Sequence, residues 1–110
     1  MKATAAKHEW SDFLNFYTRK HAGRPTRLGT FENTNGTIID YWIEDGLPLT
    51  GIDIDTGHDL PIIEIMLGDL THTVENAKTM TAHFSLNGGE DGIDIVDSVG
   101  KTTILRFEIF

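Results

Sequence analysis

The sequence predicts a mainly β, α+β fold: one N-terminal helix packed on a small antiparallel β barrel or sandwich of about seven strands. Three observations carry that expectation. Only residues 9–22 show an apolar period of helical spacing. From Thr26 onward apolar residues recur at every second position, the period of a strand. The alternating segments are joined by short Gly, Asn and Asp turns with no helix between them, which argues for antiparallel neighbours. A twisted sheet of many short strands tends to curl into a barrel or to divide into two packed layers.

In the helix, Trp10, Phe13, Leu14 and Tyr17 fall at i, i+3, i+4 and i+7, forming one apolar stripe. Glu9 and Asp12 lie in its first turn, and Arg19, Lys20 and His21 in its last, both favourable to the helix dipole. Gly23 and Pro25 end it, the glycine as a cap and the proline as a stop. His21 is read as a capping or partly buried histidine. Thr26 to Glu32 is a weak strand, and Asn35-Gly36 is a hairpin signal leading into Thr37 to Ile43. Both faces of that second strand are apolar, which places it under the helix. Glu44-Asp45-Gly46 reads as a turn.

Leu47 to Leu67 is the densest core segment. Ile52 and Ile54 alternate with Asp53 and Asp55, Thr56 to Asp59 supplies a turn, and Ile62 to Leu67 is apolar on both faces apart from Glu64. A strand of that kind is expected to be central and covered on both sides, with Glu64 at a rim. Gly51 marks a bulge. Leu70 to Val74 is a short strand or an irregular crossing. Residues 78–86 form a strand with His83 facing outward, and Ile93 and Ile95 begin the next. Thr102 to Ile109 closes the chain, with Leu105, Phe107 and Ile109 on one face.

The length, 110 residues, suits a single domain spanning 1–110, able to bury roughly 60–70% of its unfolded surface. Cysteine is absent, which excludes disulfides and thiolate metal sites. With no apolar signal segment and no run long enough to span a bilayer, the expected location is cytoplasmic, without membrane contact. Seventeen carboxylates against nine Lys and Arg leave a net charge of −8, a surface that repels a phosphate backbone. The one basic cluster, Arg19, Lys20, Arg24 and Arg27, coincides with the helix end. Nucleic acid is therefore not an expected partner.

Two constellations are candidates for chemistry. Asp53, Asp55, Asp59 and Glu64 fall at positions 1, 3, 7 and 12 of a calcium-loop-like spacing. However, Gly57 stands where a ligand belongs, His58 replaces the turn glycine, and strands flank the loop, so no cation is assigned. Asp69 and His72, joined by His58 or His83 if the fold brings them close, have the chemistry of a zinc site or an oriented base. Their spacing matches no diagnostic ligand pattern. The plain alternative is that Asp69 caps a turn and His72 hydrogen-bonds nearby backbone. Asp69, His72 and His58 are thus ligand-binding candidates, with no catalytic residue, metal or cofactor assigned. Phosphate-binding glycine loops and serine-nucleophile elbows are absent.

The segments Trp10-x-x-Phe13-Leu14, His21-x-Gly23, Leu47-Pro48-Leu49-x-Gly51-Ile52, Ile65-Met66-Leu67-Gly68, Leu70-Thr71-His72-Thr73-Val74 and Leu105-Arg106-Phe107 form a pattern that spans nearly the whole chain. It resembles a family of short bacterial proteins of unknown function. The resemblance implies a free-standing small bacterial protein with a histidine at the position of His72, and it implies no reaction. The leading functional expectation is a non-enzymatic binding or interaction module. Its partner would be a second copy, paired through the apolar C-terminal strand that ends at Phe110, or another protein. The rival is a small enzyme or ligand binder with a pocket centred on His72 and Asp69.

Overall fold

Trp10, Leu14, Tyr17 and His21 recur at intervals of three and four, and each is buried. In the computed structural model, which describes residues 2–4, 7–34, 36–57, 59–84, 86 and 88–107, they form the inward stripe of α1, Lys7–His21. Gly23 takes a φ of +86° just past its end, and its N–H donates to the carbonyl of Leu49 at 2.7 Å. His21 is fully enclosed: its ring stacks on Phe107 and tilts against Tyr17, each 4.5 Å between centroids. Arg24 Nη1 donates to His21 Nδ1 at 3.0 Å, while the guanidinium lies 4.5 Å over the Phe107 ring.

Around that helix runs a single antiparallel sheet of β1 (Lys2–Thr4), β2 (Pro25–Thr34), β3 (Thr37–Asp55), β4 (Ile62–Leu67), β5 (Leu70–Val74), β6 (Ala77–Phe84), β7 (Glu90–Asp97) and β8 (Thr102–Phe107). Its order is β1-β6-β7-β8-β2-β3-β4-β5. The expected mainly β, antiparallel architecture with one helix is observed. The finer expectation of a small, partly open barrel or a sandwich is met in part: no second layer forms and the barrel is not closed, one open sheet being curled into a half-barrel. β1, three residues long, is a strand that the alternation was too short to announce.

The curl follows from one connection. β5 is an edge strand and β6 lies six places away in the sheet order, about 29 Å if the sheet were flat. Yet only Glu75 and Asn76 join them, a reach of roughly 11 Å from Val74 to Ala77. The sheet must therefore bring its two ends towards each other. Asn76 makes the sharp bend at φ +55°, and its carbonyl accepts from the Ser98 N–H at 3.0 Å. The concave side holds one core: Trp10, Leu14 and Tyr17 from the helix meet Leu28, Leu49, Ile52, Ile63, Ile65, Leu67, Met80, Ile93, Ile95, Leu105 and Phe107 from the sheet.

β3 departs most from expectation. Glu44-Asp45-Gly46 is not a turn; the strand runs straight through it. Its pairing with β2 shifts register twice, skipping Ile43 and then Gly46, which takes φ +98° as a bulge glycine does. Turn chemistry and bulge chemistry use the same residues, so the local sequence reads either way. A third shift, between Leu49 and Gly51, matches the bulge expected there. Residues 37–48 pair with β2 and residues 49–55 with β4, on the opposite side.

Three further expectations are corrected. β4 is buried on one face only, at Ile63, Ile65 and Leu67, while Glu64 is exposed. The helix packs against β3, but Ile38, Ile39, Tyr41 and Trp42 of that strand are exposed. Over its described residues, Thr102–Phe107, β8 is an inner strand flanked by β7 and β2, not a sheet edge. Asn35, His58, Ser85, Asn87 and residues 108–110, including the expected ends at Ile109 and Phe110, lie outside the described residues.

Candidate functional site

His72 sits in the middle of β5, opposite Ile65, and shares the inward face with Val74. Because the half-barrel curls, that face meets the β7–β8 turn. His72, Val74, Asp97, Lys101 and Thr103 line a cleft of about 230 Å³. The histidine is half-buried, and its pKa is lowered from 6.5, first by loss of hydration and then by the charge of Lys101. Two carboxylates border the cleft, Glu75 and Asp97. Asp97 caps its own turn: its Oδ1 accepts from the Val99 N–H at 3.0 Å and the Lys101 N–H at 2.9 Å.

The other candidates are placed elsewhere. Asp69 is exposed in the turn between β4 and β5 and takes no part in the cleft around His72. His58 lies outside the described residues. His83 is on β6, where its Nδ1 is 2.5 Å from Asp91 Oδ1. Asp53 and Glu64 are exposed and directly opposite each other across β3 and β4, and Asp55 Oδ1 accepts from the Gly57 N–H at 2.9 Å. Among the described residues no group of three or more His, Asp or Glu is arranged to hold a metal ion.

The lowered pKa of His72 gives stability a pH dependence of definite sign. The unfolded chain takes up this proton near pH 6.5, while the folded chain takes it up only at lower pH. Between those two values the unfolded state binds more protons, so stability is complete above 6.5 and is lost as pH falls towards the folded value. His72→Gln is expected to flatten that part of a denaturation series measured between pH 7 and 5. An unchanged slope would show that other groups carry it.

A second feature lies on the distal half of the β2–β3 hairpin. Ile38 is 60% exposed, Tyr41 56%, Trp42 47% and Ile39 46%, with Phe31 beside them on β2. Ordinary surfaces scatter such residues singly. Here they occupy both faces of one projecting arm. On the outer face the Trp42 indole lies against Gly29, where a Cβ would meet the ring at 2.7 Å. The Arg27 guanidinium stacks 4.1 Å over the indole, and its Nε lies 3.4 Å from Asp45 Oδ2. Gly29, Phe31, Asp40, Trp42 and Ile104 border a cleft of about 150 Å³. The alternation identified the strand but not the arm. The available signal was a strand apolar on both faces beside a hairpin turn, with Asp40, Glu44 and Asp45 interspersed.

No protein-family model matches the chain, and no curated protein matches it. The fold is similar to that of the Bacillus subtilis YojF protein. Its crystal structure superposes with a TM-score of 0.56 at 14% sequence identity, covering 97% of this chain and 93% of that one. At such identity the likeness concerns the fold alone, and it extends over the helix and the curled sheet together. Among the described residues no helix is long and apolar enough to cross a membrane.

Proposed function

We propose that this protein is a small interaction module and that the β2–β3 arm is the surface it presents. The observation that carries the reading is the arm itself: four large apolar side chains of β3, between 46 and 60% exposed, on the part of the strand that the helix leaves uncovered. Leaving that surface in water costs roughly 25 cal/mol for each Å² that a partner would cover. Aromatic anchors with a neighbouring arginine are also the residues that dominate binding energies at protein interfaces. A small-ligand site centred on His72 is the second reading, supported by the cleft it shares with Lys101. That cleft, about 230 Å³, is smaller than the roughly 300–1,000 Å³ of common ligand pockets, so this reading ranks behind.

Photo-crosslinking in the native cells tests the leading reading. A photoreactive residue in place of Ile38 or Trp42 is expected to give discrete adducts. The same residue in place of Val99, exposed on the β7–β8 turn, is expected to give none. Adducts of equal yield at all three positions, or at none, would refute the arm as an interaction surface.

A further inference from the structure

The arm has an open edge as well as open faces. Residues 37–48 of β3 pair with β2 on one side, and β4 takes up the other side only from Leu49. Among the described residues no strand pairs with that other side of residues 37–46. The two-residue connection makes Thr34 and Thr37 the closing hydrogen-bonded pair, so alternation turns the peptide groups of Ile38, Asp40 and Trp42 towards the open side. A row of unpaired N–H and C=O groups flanked by apolar side chains is a template for an added strand.

Charge decides between the candidate occupants. The edge carries Asp40, Glu44 and Asp45, and the nearby cation, Arg27, already faces Asp45. Two copies joined edge to edge would line six carboxylates along one ladder and bring together two bodies of net charge −8. Like charges across strands are destabilising, and self-repulsion adds to that. A strand bearing Lys or Arg meets the opposite situation.

Building on the interaction-module reading, we propose that the open edge of β3 at residues 37–46 receives an extended segment of a basic protein, which lays its apolar side chains over Ile39 and Tyr41 with its cations beside Asp40 on the other face, or its apolar side chains over Ile38 and Trp42 with its cations beside Glu44.

The test is an amide NMR titration of the whole protein with two capped ten-residue peptides, one alternating lysine with valine and one alternating glutamate with valine. The lysine peptide is expected to shift amides of residues 37–46, weaken with added salt, and bind about tenfold or more less tightly to the D40K/E44K double variant. The glutamate peptide is expected not to bind. Equal binding of both peptides, shifts spread over the acidic surface, or no binding would overturn the proposal. So would sedimentation as a dimer with the 37–46 amides protected from exchange, since the occupant would then be a second copy. Crosslinks at Ile38 and Trp42 without lysine-peptide binding would sink the basic strand and leave the interaction module standing. Loss of both would sink both.

Discussion

Gly92→Ala is expected to lower stability by about 3 kcal/mol or more and the melting temperature by on the order of 12 °C. Gly92 is buried within β7, between His83 of β6 and Arg106 of β8. A Cβ at that position would meet the Leu105 carbonyl oxygen and the Leu105 carbonyl carbon at 2.9 Å. Both atoms are backbone of the neighbouring strand and cannot swing aside. The β7–β8 ladder must open or the sheet must shift, next to a register irregularity at His83 and Phe84. Other glycines provide the scale. A Cβ on Gly29 would meet the Trp42 ring at 2.7 Å and the Tyr41 carbonyl oxygen at 2.9 Å, and the half-exposed indole can move part of the way. A Cβ on Gly51 would meet the flexible tip of Met66 at 3.0 Å. The expected order of cost is therefore Gly92, Gly29, Gly51, read as denaturation midpoints of the three alanine variants. A Gly92 variant as stable as the Gly51 variant would show that the strands are not in that close approach.

What was legible in the sequence follows the range over which each feature is encoded. The helix stripe and the strand alternation at Ile52 and Ile54 are local periods, and both appear where the residues place them. Strand order is not local. Nothing near Thr102–Phe107 states that it lies between β7 and β2, so the terminal strand looked available for a partner. The same limit hid the arm. Ile38 and Trp42 alternate as core residues do, and only the position of the helix, over the Leu49–Ile52 end of β3, leaves them outside. Glu44-Asp45-Gly46 failed for a different reason, since positive φ at a glycine serves a turn and a bulge alike. His72 shows both limits at once. Its neighbour in sequence, Asp69, points the argument to the wrong carboxylate, while Asp97 and Lys101 reach it through the two-residue β5–β6 link that forces the sheet to curl.

The helix is the counterpart of that curl, and Trp10→Ala is expected to be the costliest truncation on it, about 3–5 kcal/mol. Trp10 is 1% exposed and belongs to the single core that joins α1 to the concave face. Removing the indole leaves a cavity among β-strand side chains whose backbones are fixed by ladders on both sides, so little collapse can offset it. For a chain of this size, whose total stability is on the order of 5–15 kcal/mol, that loss is a large fraction. Trp10→Phe separates packing from polarity. The indole Nε1 is buried and finds no acceptor among the described residues, a condition that costs roughly 1–3 kcal/mol in the native protein. The phenylalanine variant gives up some packing but removes that unmet donor. It is therefore expected to lose no more than about 1–2 kcal/mol, well short of the alanine variant. Equilibrium unfolding of both variants, followed with a far-UV probe of the sheet, decides the matter. Equal losses would mean that the Nε1 hydrogen bond is made in solution and matters to stability. Small losses in both would mean that the sheet holds its curl without the helix, and that the helix is a cover for the concave face instead of its core.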